Sequence, residues 1–77
     1  MIRIEVLGPG CKKCEVLYER VSQAARELGV EHRIEKITEI EKIVAYGVMA
    51  TPALVVDGAV KLSGRVPTAE HLKEYLK

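Results

Sequence analysis

Four consecutive apolar residues, Ala53-Leu54-Val55-Val56, stand between the breaker pair Thr51-Pro52 and the turn pair Asp57-Gly58. So short a run without alternation reads as a strand buried on both faces. A sheet holding such a strand needs cover above and below, so the rest of a 77-residue chain has to supply helices to both sides. Asp-Gly is the strongest short signal for a two-residue hairpin, and Ala59-Val60-Lys61-Leu62 is expected to return antiparallel.

The remaining pattern supplies the cover. Ile2, Ile4 and Val6 alternate with Arg3 and Glu5 as a half-buried strand, which Gly8-Pro9-Gly10 ends. From Cys14 onward, Leu17, Tyr18, Val21, Ala24, Ala25 and Leu28 recur at helical spacing, with Gly29 as a left-handed C-cap. Val30, His32 and Ile34 then alternate as a second strand, and strand-helix-strand implies a right-handed parallel crossover. Thr38-Glu39-Ile40-Glu41 fits a capping box with Thr38 at the N-cap, followed by an apolar stripe of Ile40, Ile43 and Val44 that Gly47 closes. Pro67 is expected to start a last helix with Ala69, Leu72 and Leu76 inward. The expected fold is α/β, β-α-β-α-β-β-α: a four-stranded mixed sheet with helices on both faces, forming one domain over residues 1–77.

Charge excludes some functions. Twelve Lys and Arg against eleven Asp and Glu leave a net +1 spread evenly along the chain, without the basic footprint of a nucleic-acid binder. No apolar run approaches the ~18 residues that cross a bilayer, so no membrane partner is expected. Met1 leads straight into strand-like alternation rather than a signal-peptide pattern, which makes the cytoplasm the expected compartment.

The chemistry concentrates in Gly8-Pro9-Gly10-Cys11-Lys12-Lys13-Cys14. Two cysteines this close would staple only a tiny loop, so the spacing suits reactivity better than cross-linking. Cys11 at a helix N-terminus would face unpaired backbone N–H groups, and Lys12 and Lys13 add positive charge, so its thiolate is favoured. Cys14, one turn on, can attack a mixed disulfide formed at Cys11. The alternative is a soft-metal site for Cu or Zn using the same two thiolates. A closed zinc site wants four ligands, however, and neither His32 nor His71 lies at ligand spacing, so no metal is assigned. A proline at the start of a buried strand, as in Thr51-Pro52, leaves that strand short of a ladder donor and often marks a cis bond.

Taken together, Gly8-Pro9-Gly10-Cys11-Lys12-Lys13-Cys14, Val48-Met49-Ala50-Thr51-Pro52-Ala53-Leu54 and Asp57-Gly58 resemble the thioredoxin superfamily. Within it the chain is similar throughout its length to the small prokaryotic glutaredoxin-like thioredoxins, or redox-active disulfide proteins. The resemblance implies a thiol–disulfide oxidoreductase with Cys11 as nucleophile, Cys14 as resolving cysteine and Pro52 as a cis-proline packed against the disulfide. It also implies that the Thr51 backbone pairs with an extended substrate segment. Lys12 and Lys13, read from their charge alone, suit recruitment of acidic partners as the alternative to tuning Cys11, which is the simpler account. Disulfide-containing proteins are the implied substrates, and a thioredoxin-reductase-type flavoprotein the implied electron donor. No resident cofactor is expected, and the chain is expected to be monomeric. Gly10 and Lys12-Lys13 depart from the familiar Trp before the first cysteine and Gly-Pro between the two. Ser63 to Thr68 only partly matches the loop with which glutaredoxins hold glutathione, so glutathione is not the expected reductant.

Other polar and aromatic residues read as structural. His32 is expected as a partly buried sheet residue, His71 on the last helix, and Tyr18, Tyr46 and Tyr75 at core edges. Gly64-Arg65 reads as a solvated turn, with carboxylate binding near the thiols as the alternative. Met49 suits either an apolar rim beside the thiols or a place in the core.

Overall fold

The structure is a computed structural model that describes residues 1–10 and 12–76; Cys11 and Lys77 lie outside the described residues. Seven elements follow in order: β1 (Ile2–Leu7), α1 (Lys12–Leu28), β2 (His32–Ile37), α2 (Ile40–Ala45), β3 (Ala53–Val56), β4 (Ala59–Ser63) and α3 (Ala69–Leu76). They form one four-stranded sheet in the order β2-β1-β3-β4. β1 runs parallel to β2, and β3 runs antiparallel to both β1 and β4. The mixed sheet and element order match the expectation.

The two-residue period of a strand sorts the core into layers. Ile4 and Val6 of β1, with Leu54 and Val56 of β3, pack against Leu17, Val21, Ala24 and Ala25 of α1 and Leu72 and Leu76 of α3. Leu7, Ala53 and Val55 point the other way and meet Ile43 of α2, with Tyr46 and Val48 at the margin. All four residues of β3 are buried, so both sheet faces are covered at that strand.

The turns follow their local chemistry. Asp57 (φ 49) and Gly58 (φ 84) both adopt the left-handed conformation that a two-residue hairpin with type I′ geometry needs. The hairpin tip is tied to β1: the Asp57 carboxylate accepts the Arg3 N–H at 2.9 Å, and the Asp57 N–H donates to the Arg3 carbonyl at 2.8 Å. Along β4 the register shifts, because Leu54 faces Leu62 while Val55 faces Val60, and Lys61 is the extra residue of a bulge.

Three expectations need correction. The N-cap of α2 is Glu39, not Thr38, and no side chain caps it. β2 extends to Ile37, whose carbonyl accepts the Gly8 N–H at 2.9 Å, so Thr38 is used as the link out of the sheet. Of the stripe expected on α2, only Ile43 is buried, whereas Ile40 and Val44 are about two-thirds exposed (62% and 64%). A six-residue helix over a small apolar patch offers little more than one side chain to it, and Tyr46 and Val48 complete that layer. Finally, α3 starts at Ala69 rather than Pro67. The Thr68 hydroxyl accepts the His71 N–H at 3.3 Å as an N-cap, and the Pro67 carbonyl is engaged by Arg20.

Candidate functional site: Cys14, Pro52 and the surrounding walls

β1 ends at Leu7 and α1 begins at Lys12, so Gly8 to Gly10 turn the chain from sheet to helix. Gly10 takes φ 97, open to glycine at little steric cost. Gly8 serves differently. A Cβ there would strike the Cys14 Sγ, with the Cys14 Cβ 3.0 Å and the Pro52 Cα 4.0 Å away. A residue without a side chain therefore lets the Cys14 sulfur, the end of β1 and Pro52 converge.

Cys14 is 6% exposed and disulfide-bonded. Its position in the first turn of α1 puts it beside Val6 and Gly8, and a small cavity of about 150 Å³ opens there between Gly10, Glu15, Lys36 and Thr38. Cys11, named in the sequence as the nucleophile, lies outside the described residues. Lys12 and Lys13 are both exposed and line a separate groove of about 300 Å³ with Val16, Arg20, Gly64 and Val66.

Pro52 is buried, and the Thr51–Pro52 peptide bond is cis, as expected from the sequence. Its carbonyl accepts the Gly64 N–H at 2.8 Å, which brings the loop after β4 against this segment. Gly64 is thus part of the site wall as well as an exposed turn. Thr51 is exposed, and among the described residues neither its N–H nor its carbonyl pairs with other backbone. Met49 is fully exposed beside it, so the core alternative for that residue fails.

The sequence reading did not single out Lys36. It faces Val6 across the parallel β1–β2 pairing, and its Nζ lies 4.8 Å from the Tyr18 ring centroid while it also lines the cavity at Cys14. Its signal was the period-2 series His32, Ile34, Lys36, which sends all three toward the α1 side of the sheet. His32 lies half-buried at the other end of the strand, paired with Ile2, its Nδ1 3.0 Å from the Val30 carbonyl. His71 sits on the exposed side of α3. Among the described residues no group of three His, Cys, Asp or Glu side chains is placed to hold a metal ion, and no helix is long and apolar enough to cross a membrane.

Cys14, buried and disulfide-bonded, and the cis-proline Pro52 both approach Gly8 at the sheet-to-helix turn. The sequence model described as Thioredoxin domain matches residues 2–77. The chain belongs to the thioredoxin family. It is 40% identical over 76 residues to a thioredoxin of Methanothermobacter thermautotrophicus, covering 99% of both chains. It is 38% identical over 77 residues to a thioredoxin of Methanocaldococcus jannaschii, covering 100% of this chain and 88% of the relative. A probable thioredoxin of Methanothermobacter thermautotrophicus is 37% identical over 78 residues, covering 96% and 91%. Membership in the thioredoxin family makes the protein a thiol–disulfide oxidoreductase.

Proposed function

We propose that this thioredoxin-family protein is a reductant of protein disulfides, acting as a cytoplasmic monomer through Cys11 and Cys14. The single observation that carries the reading is the convergence at Gly8, a position without a side chain that the Cys14 sulfur and Pro52 both approach. Cys11 immediately precedes Lys12, at which α1 begins, and helix N-terminal N–H groups with two neighbouring ammonium groups favour a thiolate there.

In the proposed cycle the Cys11 thiolate attacks one sulfur of the substrate disulfide. That S–S bond breaks as the Cys11–substrate bond forms, and the departing sulfur leaves as a thiolate that takes a proton from water. Cys14, once deprotonated, attacks the Cys11 sulfur and releases the second substrate thiolate as the Cys11–Cys14 disulfide closes. Two electrons have passed to the substrate, and an upstream donor such as a flavoprotein reductase restores the dithiol. The exposed Thr51 backbone supports a strand-like approach by the substrate.

The test is a pair of serine variants. Cys11→Ser abolishes reduction of a protein disulfide such as that of insulin, and Cys14→Ser accumulates a mixed disulfide with its target. Full turnover by either variant overturns the reading.

A further inference from the structure

The groove lined by Lys12, Lys13, Val16, Arg20, Gly64 and Val66 has a charge unlike that of the molecule as a whole. The chain is nearly neutral, with twelve basic and eleven acidic side chains, yet among the described residues this groove gathers three cations and no carboxylate. Among the described residues, Lys12, Lys13 and Arg20 form no ion pair. Exposed Arg65 follows Gly64 on the same loop.

The walls are fixed. One nitrogen of the Arg20 guanidinium donates to the carbonyls of both Val66 and Pro67, each at 3.1 Å, and so holds the loop after β4 against α1. The same loop is bonded through the Gly64 N–H to the Pro52 carbonyl. The groove therefore adjoins the redox site on two sides: Lys12 and Lys13 stand between the cysteines in the chain, and Gly64 touches the proline segment. Val16 and Val66 give it an apolar base on which aliphatic parts of a peptide can lie.

We propose that this groove receives an acidic stretch of polypeptide next to the target disulfide, so that the protein selects substrates whose reactive cysteine is flanked by Asp or Glu. The inference rests on the oxidoreductase reading above and adds the substrate class. Cations arranged along an open groove favour one sign of partner and raise its encounter rate. Point charges on flexible lysines suit a variable peptide better than a single fixed ligand.

The experiment uses two peptide disulfides that differ only in carrying Glu or Gln at three positions beside one cysteine. Exposed ion pairs of this kind are each worth a few-fold, so kcat/KM at low salt should favour the Glu peptide by about tenfold. The preference should fall toward unity at about 0.5 M salt, where the screening length is only a few ångströms. In the Lys12→Gln/Lys13→Gln double variant it should also collapse, mainly through the KM of the Glu peptide, while the Gln peptide reports the redox step in the same samples. Arg26→Gln, which removes a cation outside the groove, should leave the preference intact. Equal reduction of both peptides by the unaltered protein overturns the inference while the oxidoreductase reading stands. So does an equal loss of preference in Arg26→Gln, which would make net charge the cause. Reduction of neither peptide overturns the oxidoreductase reading as well.

Discussion

Gly8 and Cys14 adjoin so closely that no atom fits between them: a methyl group on Gly8 would overlap the Cys14 sulfur and press to 3.0 Å on its Cβ. Neither neighbour can yield easily, since Cys14 is held in α1 and Gly8 is bonded to Ile37 of β2. Gly8→Ala should therefore destabilise the oxidised protein by about 1–3 kcal/mol, the usual scale for overpacking. Urea denaturation measures the loss, and turnover should fall with it. An unchanged midpoint would show that the end of β1 moves freely.

Lys73 joins two helices through its ammonium, 2.7 Å from Glu27 of α1 and 2.9 Å from Glu70 of α3. The hydrogen bond from Lys73 holds the Glu27 carboxyl below its ordinary range, with Gln23 adding to the effect. A carboxyl depressed on folding contributes stability above its unfolded pKa and loses it as pH falls through the folded value. Lys73, raised chiefly by Glu27, contributes below its unfolded pKa and loses that as pH rises through its folded value. Lys73→Met should flatten the acid limb of the stability profile between about pH 5 and 3, where carboxyls titrate. Parallel acid limbs in thermal melts of the two proteins would count against the bridge.

The Tyr46 hydroxyl donates to Glu5 at 2.7 Å and secures the chain just after α2 to β1. That bond, followed by burial, raises the Tyr46 pKa above the ordinary tyrosine value. A raised pKa means that the contribution is complete below the unfolded value and lost as pH climbs through the folded one. Tyr46→Phe should cost about 1 kcal/mol at neutral pH, the net worth of such a bond. The difference between the two proteins should shrink in strongly alkaline solution, as denaturant titrations across pH would record.

Alkylation of the two thiols across defined redox buffers should reveal a reversible two-electron couple. For a disulfide reductant the midpoint is expected near −270 mV, with isomerases and oxidants nearer ~−180 mV or above. Thiols that never pair under oxidising conditions would remove Cys11 and Cys14 from the mechanism.

The parts of the fold legible in sequence are those decided locally. Ala53 to Val56 could be read as a doubly buried strand because Pro52 and Asp57-Gly58 punctuate it, and the α1 stripe because Leu17, Val21 and Ala24 keep helical spacing over several turns. The start of α2 was not legible. Thr38 and Glu39 compete for the cap, and the outcome depends on how far β2 stays paired to β1, a contact between distant segments. The site divides in the same way. Cys14 and Pro52 follow from motifs, whereas the bond from Gly64 to Pro52 and the meeting of Lys36 with the Cys14 cavity depend on sheet order and loop packing. Neither is encoded in a run of neighbouring residues.

The bulge at Lys61 also decides how the sheet ends on its outer side. β4 is an outer strand, and a regular outer strand offers a row of amide groups on which foreign strands can stack. Here the extra residue breaks the spacing of that row, and the exposed Lys61 ammonium would have to be desolvated by any strand laid against it. A loose strand, from a second copy of this chain or from any other, thereby finds no regular template for aggregation on this side of the sheet.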